Sequence, residues 1–498
     1  MEGTTGHPAE RRRGYNITLL SAMRIVLRGL LLVSCALAAT EGIAAPDCAS
    51  WRAELDARLR AAGADDPRQH RLAGTRWLRT DRFLHDAWRR AREAGDPERA
   101  RAVLERMAAL DAAVLGRTQD AVASPAGPRP DAATCRAAAI ERMLRAPPEE
   151  ALRPPDEYVH WRRVIGLYPL LVPFLRAGVA RWQEEERAAH AAGPPVPALR
   201  FVPPAASGAF ETPDAVARAL HAAAAEHALG WPMPPAPVLA QLALRFAPEL
   251  AAPTDAEHDR PGTLSGEDGR PRVDPGTPTA EWHARLVRWD GRVLLQLVYT
   301  FWFTERPKRW LLDPYGGAVD GIVWRVTLAE DGRPLLWDSV HPCGCFHTVF
   351  LPEGRRLVLR RTDPPRAERP LVFEGPAPAA RVLLSYASGT HLVRHLASVP
   401  AAPASARRYA LRPEQALHEG PRRAPFDRHG LLAGTGRLER FFLWPSGIRS
   451  PGAMRARGRR ATAFVGHRHF DAAELLGGLL RVRVPGEAEA LRRTASAP

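Results

Sequence analysis

The sequence predicts an α+β protein with an N-terminal helical region, an antiparallel β-rich domain of sandwich or barrel type, and a mixed C-terminal segment. Two observations support this fold class. Apolar residues recur at helical spacing in the first third of the chain, whereas from Trp282 onward their period changes to two. The chain has 498 residues, of which 45% are hydrophobic, and this composition excludes wholesale disorder.

The first residues have the composition of an export signal. Two arginines precede the apolar run LLLVSCALAAT, which leads into the small-residue stretch EGIAAP. This order predicts a signal peptide over residues 1–44 that is cleaved near Ala44, with Met23 as an alternative start. The apolar run is too short to span a bilayer. The tetrapeptide LVSC leaves a second interpretation open, in which Cys35 becomes the lipidated N-terminus of an envelope lipoprotein.

Residues 45–192 are predicted to form a helical domain. Asp96 combines an N-cap acid with a following proline, and Asp66 repeats this pattern. Residues 164–175, VIGLYPLLVPFL, form the most apolar run of the mature chain. Two prolines and a glycine in this run favour a kinked segment packed under the other helices over a membrane span.

The second half of the chain is predicted to be mainly extended. Residues 193–281 are rich in proline and glycine and are expected to form a linker with short helices. Residues 282–400 contain alternating strands joined by Asp-Gly turns at positions 290 and 331, which predicts an antiparallel β domain. Residues 401–498 combine strand and helix patterns in a mixed C-terminal segment.

The net charge of +15 raises the question of nucleic-acid binding. The excess is almost all arginine, and the arginines alternate with acids, as in REAGDPERARAVLER, instead of forming one basic stripe. We therefore expect no specific nucleic-acid binding. The expected partners are an envelope protein or a polymer, and membrane contact is expected only through a lipid on Cys35.

The stretch HPCGCFH is the densest cluster of metal-ligand side chains in the sequence. Thiolates and imidazoles suit zinc or copper, so we predict a metal site here. On a straight strand the two outer histidines would lie about 20 Å apart, so one ion could not take all the ligands unless Pro342 and Gly344 bend the chain. The candidate ligands are His341, Cys343, Cys345 and His347, with His391, His395, His467 and His469 as further candidates from elsewhere.

Two other uses of these cysteines stay open. In an oxidising compartment an even number of cysteines suggests structural disulfides, and the sequence does not determine their pairing. A Cys-x-Cys pair can also cycle between dithiol and disulfide, since a flanking imidazolium would raise thiolate reactivity. The cysteines concerned are Cys48, Cys135, Cys343 and Cys345.

A hydrolase is a further interpretation of the same region. Asp338, Ser339 and His341 are the residue types of an acyl-transfer site. Against this interpretation, the chain contains no G-x-S-x-G elbow, and three residues on one short strand cannot all converge on one another.

Several motifs resemble a family of uncharacterised exported bacterial proteins. They are DGIVWRVTL (320–328), DGRPL (331–335), the Asp-Ser pair at 338, HPCGCFH, and the ATAFVG and RHFD motifs within 461–471. The resemblance covers about residues 285–350 and 440–475. It implies export and a shared fold, but no activity and no catalytic residue.

These observations predict an exported envelope protein with a Cys/His site for a soft or borderline metal. The alternative is a non-enzymatic envelope protein that holds structural disulfides and binds a protein or polymer partner. The sequence does not decide whether the protein is an enzyme.

Overall fold

The computed structural model describes residues 47–72, 75–147, 152–205, 210–266, 270–360, 367–418 and 425–483. The predicted signal peptide, with Met23, Cys35 and Ala44, lies outside these residues. The described chain combines helices with mostly antiparallel or mixed sheets, and its N-terminal region is helical, so the predicted α+β class is confirmed.

The N-terminal region packs helices around a two-stranded sheet. Aspartates cap several of the helices. For example, the Asp96 side chain accepts a hydrogen bond from the backbone N–H of Arg99 at 2.9 Å. A disulfide between Cys48 and Cys135 ties the first helix to the fourth. The elements are α1 (Cys48–Ala61), β1 (His70–Leu72), β2 (Thr75–Thr80), α2 (Arg82–Glu93), α3 (Pro97–Thr118), α4 (Ala132–Arg145), α5 (His160–Ile165) and α6 (Tyr168–Ala191).

The apolar run 164–175 lies at the surface and is not buried under other helices. It forms the end of α5 and the start of α6, where Leu170 is 67% exposed and Phe174 is 74% exposed. The second half of α6 makes the packing contacts, through residues such as Trp182 and the buried Glu186. No helix among the described residues is both long and apolar enough to cross a membrane.

Residues 193–281, which we predicted as a linker, contribute to the core. Phe201, Leu242, Phe246 and Leu250 are all buried in the main hydrophobic cluster. The elements here are β3 (Leu199–Val202), α7 (Pro213–Glu226), α8 (Ala236–Phe246), β4 (Glu249–Ala252), β5 (Thr263–Ser265) and β6 (Arg272–Asp274).

The β-rich part of the chain forms a long sheet of seven strands. Six of its strands come from this part of the chain: β7 (Thr279–Trp289), β8 (Arg292–Arg306), β9 (Gly317–Leu328), β10 (Pro334–Val340), β11 (Thr348–Pro352) and β13 (Leu371–Gly375), while β12 (Leu357–Leu359) is not a member. Adjacent strands from β7 to β11 pair antiparallel, and β13 joins β11 in parallel. The seventh strand of the long sheet comes from further along the chain.

The remaining elements complete the sheets. They are β14 (Val382–Tyr386), β15 (Val393–Ser398), β16 (Arg407–Arg408), β17 (Ala410–Pro413), α9 (Arg440–Leu443), α10 (Leu475–Leu479) and β18 (Leu480–Val482). The β17 strand joins the long sheet beside β7, while β18 pairs with β12. A five-stranded sheet has the order β15-β14-β4-β3-β16, so it combines strands from both ends of the β region.

Candidate functional site

The HPCGCFH segment forms a tight loop between β10 and β11. The backbone N–H of His341 donates to the carbonyl oxygen of Cys345 at 3.0 Å, and the N–H of Gly344 donates to the carbonyl of His341 at 2.7 Å. Gly344 has a φ of +95°, and a Cβ atom there would overlap the carbonyl oxygen of Ala461. Glycine therefore lets this loop lie directly against the 461–471 segment.

Cys343 and Cys345 are free thiols in this loop. Both are buried in an apolar cluster that contains Trp302 and Met454. The backbone N–H of Cys345 points at Sγ of Cys343, 3.5 Å away. The Cys343 thiol and burial together raise the pKa of Cys345 well above its usual value. Cys345 therefore keeps its proton at neutral pH unless a cation takes its place.

A buried arginine lies beneath the same loop. Nε of Arg455 donates to the carbonyl oxygen of Cys343 at 3.2 Å, and Nη1 lies 3.6 Å from the Glu157 carboxylate. Within the described chain Nη1 has no hydrogen-bond partner. Burial lowers the pKa of Arg455, and Glu157 and the two cysteines oppose this shift. Glu157 also contacts Arg459 at 3.0 Å, so the carboxylate that faces Arg455 is shared with a second guanidinium group.

The histidine at the end of the loop belongs to a buried ionic network. Nε2 of His347 lies 3.0 Å from Oδ2 of Asp338, and Arg325 donates one hydrogen bond to each oxygen of the same carboxylate. Burial alone would raise the pKa of Asp338, but Arg325 and His347 lower it to about 2. Burial lowers the pKa of His347 to about 4, so the ring is neutral at neutral pH.

The histidine at the start of the loop faces a different carboxylate. Nδ1 of His341 lies 3.4 Å from Oδ1 of Asp320, and Nδ1 of His391 lies 2.9 Å from Oδ2 of the same residue. Burial would raise the pKa of Asp320, but the two rings hold it well below its usual range. His391 also places Nε2 2.7 Å from the carbonyl oxygen of His258. His341 and His391 therefore share Asp320, whereas His347 contacts Asp338, and among the described residues none of these histidines forms a group of three ligands with the two cysteines.

A cleft of about 740 Å³ opens beside the loop. Cys345 and His347 line it together with Trp182 from α6 and Glu439, which precedes α9. Burial raises the pKa of Glu439 to about 7 in spite of two neighbouring arginines. The cleft gives one of the two thiols a route to solvent and adds a carboxyl group that titrates near neutral pH.

The other predicted histidines lie elsewhere. The His395 ring stacks on His190, with 4.6 Å between the ring centroids. His467 and His469 meet Asp156, where their Nε2 atoms lie 2.8 and 3.3 Å from the carboxylate oxygens. In the part of the chain that the structure describes, this is the one group of three ligand residues whose ligand atoms all lie within 4.8 Å of one another.

The structure does not bring together the residues of the proposed hydrolase site. Asp338 contacts Arg325 and His347, whereas His341 contacts Asp320. Ser339 is buried on β10. Asp338, Ser339 and His341 therefore form no relay of nucleophile, base and orienting acid.

The sequence reasoning missed several residues of the two sites, among them Glu439 in the cleft. Asp156, Glu157 and Arg455 reach the site only through the tertiary fold, from segments that carry no metal or thiol motif. Comparisons of the chain with known protein families, curated proteins and solved structures gave no match. The fold and the two side-chain clusters describe an α+β protein with a buried dithiol and a separate His/Asp cluster.

Proposed function

We propose that this is an exported envelope protein that binds one Cu(I) ion between the thiolates of Cys343 and Cys345. The observation that carries the proposal is the free thiol pair in a tight loop, beside a cleft and next to a buried arginine whose Nη1 makes no hydrogen bond within the described residues. The Cys48–Cys135 disulfide supports export, because disulfides persist in oxidising compartments.

The number of ligands favours copper over zinc. Structural zinc takes four ligands, and catalytic zinc takes three protein ligands, each about 2.0–2.3 Å from the metal. Among the described residues, the one group of three or more potential ligand residues with ligand atoms within 4.8 Å of one another does not include either thiol, so the thiols lack the third ligand that zinc needs. Cu(I) is soft, prefers thiolates, and is stable with two of them in a linear arrangement.

The local charge also favours a monovalent ion. Glu157 is shared by Arg455 and Arg459, and Arg455 lies beside the thiols. A Cu(I) dithiolate carries one negative charge, which the Arg455 guanidinium would stabilise. A bare dithiolate would carry two negative charges in an apolar cluster, where unpaired charge is costly.

The test is an anaerobic titration of the reduced thiol pair with Cu(I) against a chromophoric chelator. We expect one Cu(I) per chain, and loss of this ion in both Cys343→Ser and Cys345→Ser. His341→Gln is the matched control in the same loop, and it should keep the full stoichiometry because only sulfur binds the ion. Near-UV circular dichroism confirms that each variant is folded.

Two results would refute the proposal. One is an unchanged copper stoichiometry in Cys343→Ser. The other is an intact mass of the natively exported chain that is two disulfides lighter than the reduced chain, with no ion bound under native conditions. That mass would favour structural cysteines and a protein or polymer partner. The same measurement reads the N-terminus and any lipid on Cys35.

A second candidate function is divalent-metal binding by Asp156, His467 and His469. Two imidazoles and one carboxylate form a ligand set that suits Zn(II) or Fe(II). The backbone N–H of Glu157 donates to Nε2 of His469 at 3.3 Å, so this nitrogen carries a lone pair, which a metal ion would take over from that N–H. The contacts among the three side chains hold the ligand atoms close together.

Titration with Co(II), followed by its visible absorption, tests this second site. We expect one Co(II) per chain, and loss of the signal in His467→Ala and Asp156→Asn. His221→Ala removes an exposed histidine on α7 and serves as the control. Equal binding by all four proteins would exclude the site.

A further inference from the structure

The largest exposed apolar side chains of the described chain gather in three neighbouring segments. These segments are 161–174 at the junction of α5 and α6, 310–312 in the β8–β9 loop, and 441–442 in α9. We call them together the apolar face. Leu311 is 86% exposed, Phe174 is 74% exposed and Phe442 is 69% exposed. A soluble surface rarely exposes so many large apolar side chains in one place without a binding role.

Contacts between the three segments make them one surface. Nε of Arg163, in α5, donates to the carbonyl oxygen of Ser446 at 2.7 Å, just after α9. The backbone N–H of Glu439 donates to the carbonyl oxygen of Pro314 at 3.1 Å, which joins α9 to the β8–β9 loop. Phe174 and Trp310 both line the cleft beside Cys345. Two of the three segments of the apolar face therefore border the cleft.

The charged residues within the segments of the apolar face are all basic. The segments 160–175, 307–312 and 440–443 contain arginines and one lysine but no acidic residue. The adjoining acids, Asp313 and Glu439, are buried, with 1% and 7% exposure, and the exposed Glu185 in the cleft is paired with Arg181. Arginines stack on the exposed aromatic rings: Arg309 lies 4.7 Å from the Trp310 ring centroid. Arg162 and Arg440 make the same contact with Trp161 and Phe441.

We propose that the apolar face is a membrane-docking surface that inserts into the interface of an anionic bilayer and presents the cleft to it. Aromatic and aliphatic side chains ringed by basic residues are the composition of interfacial binding elements, since the rings enter the headgroup boundary and the cations pair with lipid phosphates. Pro173 inside α6 and the exposed loop tips suit shallow insertion. The orientation would let a ligand of the cleft be exchanged at the membrane surface.

The experiment is co-sedimentation with large unilamellar vesicles. The protein is purified as exported, with Cys35→Ala so that no lipid can be attached, and its N-terminus is checked by intact mass. Vesicles contain either phosphatidylcholine alone or phosphatidylcholine with phosphatidylglycerol. We expect binding to the anionic vesicles, and binding at least tenfold weaker in Leu311→Ser/Leu312→Ser because two apolar side chains are lost. Arg309→Gln should weaken binding about fivefold.

Matched controls come from exposed valines outside the apolar face. Val196 is 91% exposed and Val482 is 52% exposed, and Val196→Ser and Val482→Ser should bind as the parent protein does. Unchanged thermal unfolding midpoints show that the Leu311→Ser/Leu312→Ser variant is folded. Absence of binding to anionic vesicles would overturn the proposal, as would equal binding by this variant. Self-association that the variant abolishes, without vesicle binding, would also overturn it and assign the face to a second copy of the chain.

Discussion

Asp338→Asn tests whether the buried Arg325–Asp338–His347 network stabilises the fold. The substitution keeps the shape of the side chain and removes its charge. Arg325 is only 1% exposed, and its other hydrogen bond goes to the carbonyl oxygen of Phe470 at 2.8 Å. The variant would therefore hold a buried guanidinium without its carboxylate, and removal of one partner from a buried pair costs about 3–5 kcal/mol.

The pH dependence of this loss has a definite sign. The pKa of Asp338 is about 2 in the folded protein, against a reference value of 3.8. A lowered carboxyl pKa stabilises the fold above the unfolded pKa, and this contribution disappears as the pH falls through the folded pKa. The difference is worth about 2.4 kcal/mol. The gap in stability between the parent protein and Asp338→Asn should thus be constant above pH 5 and shrink toward pH 2.

Urea unfolding followed by tryptophan fluorescence measures the effect, because Trp324 and Trp337 are buried beside the pair in β9 and β10. Glu330→Gln is the control. Glu330 forms an exposed ion pair with Arg292, and exposed pairs contribute about 0–1 kcal/mol. If Asp338→Asn costs no more than Glu330→Gln, the network does not stabilise the fold and the reasoning fails.

Three further predictions use the same unfolding assay. Burial raises the pKa of Glu281 to about 8, from a reference value of 4.5. The protonated carboxyl therefore stabilises the fold at low pH, and this stabilisation is lost as the pH rises from about 4.5 through 8. Glu281→Gln should flatten this decline in stability, which is worth at most about 5 kcal/mol. Gly344→Ala should cost about 2–4 kcal/mol because its Cβ meets backbone at positive φ, whereas Gly354→Ala, at a φ of +77° in open space, should cost about 1–2 kcal/mol. Cys48→Ser/Cys135→Ser should lose about 4–5 kcal/mol, since the bond closes a loop with a sequence separation of 87; a loss below about 1 kcal/mol would mean that the unfolded chain is not constrained by the disulfide.

Local signals in the sequence predicted local structure well. The Asp-Gly pair at 290 forms the turn between β7 and β8, where Trp289 pairs with Arg292. The proline after Asp96 begins α3 as expected. The same signal failed at Asp66, whose carboxylate binds the Arg68 guanidinium at 2.9 Å and begins no helix. An aspartate before a proline can cap a helix, as Asp96 does, or form an ion pair with a nearby arginine, as Asp66 does.

The sites depended on register and distant pairing, which a single sequence does not encode locally. His341 and His347 are six residues apart, yet they face different aspartates because the loop reverses the chain between β10 and β11. β4 pairs in parallel with β14 across more than a hundred residues, and this pairing brings residues predicted as a linker into a sheet. The prediction that the run 164–175 is buried was wrong, because hydrophobicity alone does not show whether another part of the chain packs over an apolar segment.

The two candidate metal sites are electrostatically linked through one residue. Glu157 faces Arg455 at 3.6 Å on the dithiol side, and its backbone N–H donates to His469 in the other cluster. A negatively charged copper dithiolate would compete with Glu157 for Arg455 and leave the carboxylate more closely paired with Arg459. Since the N–H of Glu157 competes with a metal ion for the same lone pair of His469, a shift of this segment toward Arg459 alters the availability of that nitrogen. Occupancy of the thiol pair should therefore change the affinity of the His/Asp cluster, and reciprocity requires the converse to the same degree.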